Sequence, residues 1–169
     1  MKFYLVGYMA SGKSKIGKEL SELTGLSFID LDEVFEERFR IGIVDFFDKY
    51  GEAAFRSIEH QLLLETGSID DAIIATGGGT PCSEENIRFI KSNGISFYIR
   101  MKIEDLADRL KNIKRKRPVL KYVPIEDLEK FIRKHLEERE PFYLRSDHII
   151  SGPVTDLESI TLIIKPLLH

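Results

Sequence analysis

Eight residues near the start of the chain could bind the phosphates of a nucleotide. The segment Gly7-Tyr8-Met9-Ala10-Ser11-Gly12-Lys13-Ser14 fits the pattern G-x-x-x-x-G-K-[ST], in which backbone N–H groups cradle phosphate oxygens. In this pattern the Lys13 ammonium reaches the β- and γ-phosphates, and the Ser14 hydroxyl ligates Mg²⁺. The segment therefore predicts a phosphate-binding P-loop. A glycine-rich turn with a surface lysine is the alternative, but it does not explain the eight-residue pattern between a strand and a helix.

Two carboxylates close to each other could assist the same chemistry. Asp30 and Asp32 follow the short apolar run 27–29. In an extended segment, residues two apart point to the same side, so both carboxylates could face one site. Such a pair could hold a water molecule of Mg²⁺ or orient a hydroxyl group. The alternative is that one of them only caps a following helix, which we predict over 33–40. For the pair we favour a functional role.

An arginine and three glycines in the middle of the chain could form a second part of the site. The apolar spacing predicts a helix over 52–66, on which Arg56 and Glu59 can pair because they lie three residues apart. Gly77-Gly78-Gly79 follows a buried-type strand and permits close approach of the backbone to a ligand. Taken alone, a solvated ion pair and a mobile turn would explain both features.

A basic segment over 111–124 contains Arg117-Pro118 and lies between two predicted helices. Basic runs are usually solvated surface or contact a polyanion. In a P-loop phosphotransferase, such an insert is also typical of a lid, which closes over the site and brings an arginine to the transferred phosphate.

The elements that must position these residues alternate along the chain. Strand-like runs at 2–6, 27–29, 72–75, 95–99 and 147–150 are separated by helical patterns, which is typical of a parallel sheet with helices on its faces. The P-loop lies between the first strand and a helix that should end at Thr24-Gly25. We predict one domain over 1–169.

Composition bounds the function. The 169 residues carry a net charge of −3, so no broad nucleic-acid contact is indicated. Cys82 is the single cysteine, and no apolar run is long enough to span a membrane; both features favour a cytoplasmic protein. None of the four histidines has metal-ligand spacing to another histidine or to Cys82, so no zinc site is indicated.

The motifs together resemble those of the shikimate kinases, and the resemblance covers essentially the whole chain. In order, they are the P-loop, Asp30-Leu31-Asp32, Gly51-Glu52-x-x-Phe55-Arg56-x-x-Glu59, Gly77-Gly78-Gly79, Arg117-Pro118-Val119-Leu120 and Glu138-Arg139-x-Pro141-x-Tyr143. The resemblance implies a three-layer α/β/α P-loop kinase fold with a five-stranded parallel sheet. It also implies a helical substrate-binding region at about 31–62 and a lid at about 111–124.

The resemblance also assigns roles to residues that match the family's motifs. The residues that match its shikimate contacts are Asp32, Arg56, Gly78, Gly79 and Arg139, with the two arginines on the substrate carboxylate. The residues that match its pocket lining and support are Phe47, Phe55, Glu59 and Pro118. The residues that match its ATP contacts are Ala10, Ser11, Gly12, Lys13, Ser14, Lys15, Arg109, Arg117 and Pro153. Ser14 and Asp30 match the Mg²⁺ site, and Lys13, Asp32 and Arg117 match the catalytic residues.

The implied reaction is ATP-dependent phosphorylation of the 3-hydroxyl of shikimate, with Mg²⁺, in the pathway to chorismate and the aromatic amino acids. We expect ATP and shikimate as partners, no nucleic acid, no membrane, and a monomer. Another small P-loop kinase, such as a gluconate or nucleoside monophosphate kinase, is the nearest alternative. A non-catalytic nucleotide-binding module or switch is the other, although the N-K-x-D base-reading motif is missing.

Overall fold

The computed structural model describes residues 1–113, 118–151 and 157–168, and its strands form one parallel sheet. The strands are β1 (Lys2–Val6), β2 (Ser27–Asp30), β3 (Ala72–Ala75), β4 (Ile95–Arg100) and β5 (His148–Ser151). They lie side by side in the order β2-β3-β1-β4-β5. The predicted five-stranded parallel sheet is confirmed.

Helices cover both faces of this sheet. They are α1 (Lys13–Thr24), α2 (Leu31–Phe39), α3 (Ile43–Tyr50), α4 (Glu52–Glu65), α5 (Glu84–Asn93), α6 (Ile103–Lys111), α7 (Leu128–Tyr143) and α8 (Leu157–Ile164). Short 3-10 helices lie at Thr66–Ser68, Pro118–Leu120 and Lys165–Leu167. Among the described residues, no helix is long and apolar enough to cross a membrane.

The alternation of side chains along β1 separates the two halves of the core. Phe3 and Leu5 face one side and pack in a cluster with residues of α1 and α8. Tyr4 and Val6 face the other side and pack with residues of α2 to α7. All four side chains are fully buried, because β1 is the central strand and is covered on both faces. The result is the predicted three-layer α/β/α arrangement.

The topology brings three functional segments to one edge of the sheet. The P-loop follows β1, Asp30 is the last residue of β2, and Gly77 follows β3 by two residues. Because β2, β3 and β1 are adjacent and parallel, their carboxyl ends meet at the same edge. In open α/β sheets this edge is where ligands bind.

Three helices differ from the sequence prediction. Helix α2 begins at Leu31, two residues earlier than predicted, because Asp30 already caps it. The apolar spacing after residue 125 predicts a helix that ends near Pro141, whereas α7 continues through Pro141 to Tyr143. Proline lacks only one N–H group, so the turn beyond it can still form when tertiary contacts hold it. Helix α3 was not predicted; its C-terminal end adjoins Gly51, where φ is 83°.

Arg117 and Pro153 lie outside the described residues, so the proposed lid arginine and one side of the adenine site stay predictions. The same holds for Thr155, the predicted cap of the last helix. The described part of the predicted lid includes the 3-10 helix Pro118–Leu120, which packs on α3.

Candidate active site

The P-loop has the backbone conformation needed to surround an anion. Ala10 has φ 62° and Gly12 has φ 98°, both in the left-handed region that most residues avoid. Helix α1 begins directly after Gly12, so the free N–H groups and the positive end of its dipole face the loop. The loop therefore has the backbone conformation of the predicted phosphate cradle, and Ser11 is buried inside it.

Lys13 is held within this loop. Its ammonium donates hydrogen bonds to the carbonyl oxygens of Gly7 and Tyr8, each at 2.9 Å, and only 8% of the residue is exposed. The positive charge therefore lies over the P-loop and not in bulk solvent. Lys15, by contrast, is exposed and pairs weakly with Glu19 at 3.8 Å.

Asp30 performs two tasks at the end of β2. Its Oδ1 accepts hydrogen bonds from the N–H groups of Asp32 and Glu33 and so caps α2. Its Oδ2 accepts a hydrogen bond of 2.5 Å from the Ser14 hydroxyl. The capping role of Asp30 is therefore observed, and its second oxygen meets the P-loop serine, while its role toward Mg²⁺ stays a prediction.

Ser14 and Asp30 have the chemistry of a magnesium site. Their hydroxyl and carboxylate oxygens are hard ligands, and a nucleotide-bound Mg²⁺ needs only one or two protein groups beside phosphate and water oxygens. Within the described ranges, no group of three or more His, Cys, Asp or Glu side chains could hold a metal ion by itself. The residues present fit an ion that arrives with a nucleotide.

Asp32 reaches the site by a different geometry from the one predicted. It lies in the first turn of α2, not in an extended segment, so strand alternation does not explain its direction. Its carboxylate lies near the triple glycine, because a methyl group placed on Gly77 would come within 2.9 Å of Asp32 Oδ1. The expectation that both aspartates face one site is confirmed, but the physical reason given for it was wrong.

Arg56 is fixed by two carboxylates and two aromatic rings. Its Nη1 donates to Glu59 Oε2 at 2.7 Å, and Glu52 Oε1 accepts from Nε at 3.3 Å and from Nη2 at 3.2 Å. Its guanidinium carbon lies 5.3 Å from the ring centre of Phe55 and 5.9 Å from that of Phe47. These contacts support and orient a cation at the cleft wall.

The three glycines lie where a side chain would come close to neighbouring groups. A methyl group on Gly77 would lie 2.6 Å from Glu59 Oε1, and one on Gly79 would lie 2.3 Å from Arg56 Nη1. One on Gly78 would approach the Met9 amide nitrogen at 3.2 Å and Arg139 Nη1 at 3.7 Å. A side chain at Gly77 or Gly79 would displace neighbouring charged groups. The close approach of these glycines to a ligand stays a prediction.

Two adjoining cavities contain most of the predicted residues. A cleft of about 340 Å³ is lined by all nine residues predicted to contact or support the substrate. A second cavity of about 310 Å³ is lined by six of the predicted nucleotide residues, which are Ala10, Gly12, Lys13, Ser14, Lys15 and Arg109. Arg109 donates a hydrogen bond of 3.1 Å to the Ala10 carbonyl. Ser14, Asp30, Asp32 and Gly78 line both cavities, so these residues form the junction.

Comparison with known proteins shows the family of this chain. The family model for shikimate kinase matches residues 9–166. A shikimate kinase from Parabacteroides distasonis is 45% identical to this chain over 86% of it and 84% of the relative. This chain belongs to the shikimate kinase family.

Solved structures of shikimate kinases agree with this fold. One from Bacteroides thetaiotaomicron has a TM-score of 0.88 and 33% identity, and covers 99% of this chain and 98% of that one. A second, from Acinetobacter baumannii in complex with shikimate, has a TM-score of 0.87 and 31% identity, and covers 99% and 92%. The predicted family, fold class and enzyme class are thereby confirmed.

In this shikimate kinase, a chain of buried hydrogen bonds behind Arg56 was not predicted from the sequence. Thr80 Oγ1 donates to Glu59 Oε1 at 2.7 Å, Asn86 Nδ2 donates to the Thr80 carbonyl at 2.7 Å, and His60 Nδ1 lies 2.5 Å from Asn86 Oδ1. Thr80, Asn86 and Glu59 are all buried. These hydrogen bonds hold the Glu59 carboxylate in place, and Glu59 in turn holds Arg56. The only feature of the sequence that could have indicated these hydrogen bonds is the position of Thr80 directly after the three glycines.

The cysteine beside the site is a poor nucleophile. Cys82 Sγ lies 3.6 Å from the Gly78 carbonyl, and burial raises the pKa of its thiol above the usual value, which the positive charge of Arg139 only partly offsets. Cys82 therefore remains a neutral thiol at neutral pH and supplies packing at the back of the glycine segment.

Proposed function

We propose that this chain transfers the γ-phosphoryl group of ATP to the 3-hydroxyl of shikimate, in the pathway to chorismate. The observation that carries the proposal is the junction of the two cavities, where Asp32 lies between the P-loop cavity and the arginine-lined cleft. Phosphoryl transfer depends mainly on holding donor and acceptor in line and on stabilising charge. A shared wall between the two cavities meets the first requirement.

The cleft supports a small polyhydroxylated carboxylate as the acceptor. Arg56 and Arg139 line it, and a planar guanidinium grips a carboxylate through two parallel hydrogen bonds. Gly79 places its backbone against Arg56, where no side chain would fit. We assign the substrate carboxylate to this end, which leaves a ring hydroxyl toward Asp32.

The P-loop cavity supports the nucleotide. Lys13 would move from the Gly7 and Tyr8 carbonyls to the β- and γ-phosphates, which are stronger acceptors for an ammonium. Ser14 and Asp30 would hold Mg²⁺, which neutralises phosphate charge when bound. Asp32 would orient the attacking hydroxyl and accept its proton. Arg109 and Pro153 are assigned to the adenine.

The segment 111–124 is assigned as a lid. Pro118 lines the substrate cleft, and Lys121 Nζ lies 2.5 Å from Asp48 Oδ2 on α3. The far end of the segment is therefore anchored on the substrate-binding region. Arg117 would then reach the nucleotide phosphates on closure, which excludes water as a competing acceptor.

All assigned roles lie within residues 1–169, which we propose to act as one domain and as a monomer in the cytoplasm. Light scattering with and without ADP and shikimate tests the monomer. A dimer whose dissociation abolishes turnover would contradict it.

A comparison of acceptors tests the function. ADP release should be fast with shikimate, and near background with gluconate or AMP, because AMP has no carboxylate for the arginine pair and gluconate lacks a ring that would fix a hydroxyl toward Asp32. Phosphorus NMR of the product should show a single ester at the 3-hydroxyl. Preferred turnover of gluconate or AMP would move the chain to another P-loop kinase activity, and no turnover of any acceptor would favour the non-catalytic module.

Replacing Arg56 or Arg139 with lysine should weaken shikimate binding and leave ATP binding nearly unchanged. Lysine keeps the charge but loses the paired hydrogen bonds, a loss of about 1.5–3 kcal/mol, or roughly 10- to 100-fold in Kd. Titration of each variant with both ligands measures this. Arg133→Lys is the matched control, since Arg133 is an exposed arginine on the same helix as Arg139. Equal losses for both ligands would place these arginines on the nucleotide side.

A further inference from the structure

One face of α7 meets two segments of the active site. His135, Arg139 and Tyr143 follow one another at intervals of four residues and therefore share a face. Tyr143 Oη donates to the Gly78 carbonyl at 2.5 Å, and Arg139 Nη1 is close to Gly78. His135 Nδ1 lies 2.8 Å from Tyr8 Oη in the P-loop. Arg139 is therefore held between a contact to the glycine segment and a contact to the nucleotide loop.

Tyr8 connects this face to the catalytic lysine. Its side chain is 1% exposed, and its ring meets the His135 ring edge-on, with centres 5.5 Å apart. Its carbonyl accepts hydrogen bonds from Lys13 Nζ at 2.9 Å and from the Ser11 amide at 3.2 Å. The backbone of Tyr8 thus belongs to the phosphate cradle, and its side chain belongs to the contact with α7.

Both partners of the hydrogen bond between Tyr8 and His135 are neutral at neutral pH. Burial, assisted by the positive charges of Arg139 and Arg56, lowers the pKa of His135 to about 4, so the imidazole is neutral at neutral pH. Burial raises the pKa of the Tyr8 phenol, which stays protonated. The hydrogen bond therefore joins a neutral phenol and a neutral imidazole, and the tautomer of His135 decides which of them donates. A neutral imidazole also adds no third positive charge beside the two arginines.

We propose that Tyr8 and His135 are positioning residues for phosphoryl transfer, whose hydrogen bond sets the distance between the P-loop and Arg139. The inference rests on the proposed function, in which Lys13 holds the phosphates and Arg139 holds the acceptor. In that mechanism, the hydrogen bond between Tyr8 and His135 helps to align ATP with shikimate, although neither side chain contacts either ligand. Loss of the bond should therefore affect shikimate use more than nucleotide binding, because Lys13 keeps its backbone acceptors while α7 loses its attachment to the loop.

The test measures KM for shikimate, Kd for ADP and kcat in variants of the full chain. Tyr8→Phe and His135→Leu should each raise KM for shikimate, or lower kcat, roughly three- to tenfold, the effect of one hydrogen bond. The double variant should be no worse than the poorer single variant, because both remove the same bond. His135→Gln should restore most of the loss, since its amide oxygen can accept from the Tyr8 hydroxyl. ADP affinity should change less than twofold.

Tyr4→Phe is the matched control. It removes another buried tyrosine hydroxyl, which bonds Thr66 Oγ1 at 2.9 Å on the central strand and lies outside both cavities. This variant should lower Tm without changing KM for shikimate. If Tyr8→Phe behaves like Tyr4→Phe, or if glutamine at 135 is no better than leucine, the bond is only structural and the inference is wrong. A wild-type chain that does not use shikimate would overturn the proposed function, and this inference with it.

Discussion

Lys13→Ala should lower kcat by about 10³-fold or more, the scale of removing a principal charge from a phosphoryl-transfer site. Lys13 is the P-loop cation, and two loop carbonyls already orient its ammonium at 2.9 Å. Its charge stabilises the phosphoryl group most strongly in the transition state, so kcat should fall more than shikimate affinity. The fold should survive, because Lys13 contributes hydrogen bonds to its own loop and no part of the apolar core.

The measurement is steady-state ADP release, with circular dichroism and Tm to confirm folding. Lys18→Ala is the control, because Lys18 lies on the same helix, lines neither cavity and makes an exposed ion pair with Glu33 at 2.9 Å. An exposed pair of this kind contributes little to stability, so this control should keep wild-type turnover. Folded Lys13→Ala with near-normal kcat would remove the P-loop from the mechanism.

Asp32→Asn should lower kcat by about 10²- to 10⁴-fold, the usual contribution of a positioned general base. The change keeps the size of the side chain and a hydrogen-bond acceptor but removes the negative charge. Asp32 lines both cavities, so in the proposed reaction its carboxylate would lie where the hydroxyl of shikimate meets the γ-phosphate of ATP. KM for shikimate should change far less than kcat, because the amide oxygen can still accept a hydrogen bond from the hydroxyl.

Asp45→Asn provides the comparison for this variant. Asp45 also lies in the first turn of a helix, α3, but is exposed and lines neither cavity. It should have wild-type kcat and KM. If Asp32→Asn instead raises KM and leaves kcat unchanged, Asp32 only binds the substrate, and the proton must leave by another route.

Much of the fold follows from local sequence patterns. The P-loop, the strand before it and the helix after it are contiguous in the chain, so the complete motif can be recognised from the sequence. Gly25, predicted as the C-terminal cap of α1, has φ 75°, and Ser83, a residue type that favours N-caps, accepts a hydrogen bond from Asn86 N at the start of α5. Such caps involve residues only a few positions apart, and for that reason they can be predicted from one sequence.

The two aspartates show how a correct prediction can rest on the wrong geometry. The sequence placed Asp30 and Asp32 at one site through strand alternation, whereas the structure begins α2 between them. The Asp30 carboxylate itself causes this early start, since it captures the N–H groups of Asp32 and Glu33. An extended conformation and a helix start were both possible for residues 30–32, and the capping hydrogen bonds of Asp30 favour the helix start.

The sequence by itself determined the family, the alternation of strands and helices apart from α3, and the residue types that carry the chemistry. Only the tertiary structure showed that Gly77 and Gly79 are required by space, and that Thr80 and Asn86 stand behind Arg56. It also revealed the contact between Tyr8 and His135, which are 127 residues apart. The reason is physical: these contacts join side chains from different elements, and their partners meet only when the parallel strands bring the loops to one edge of the sheet.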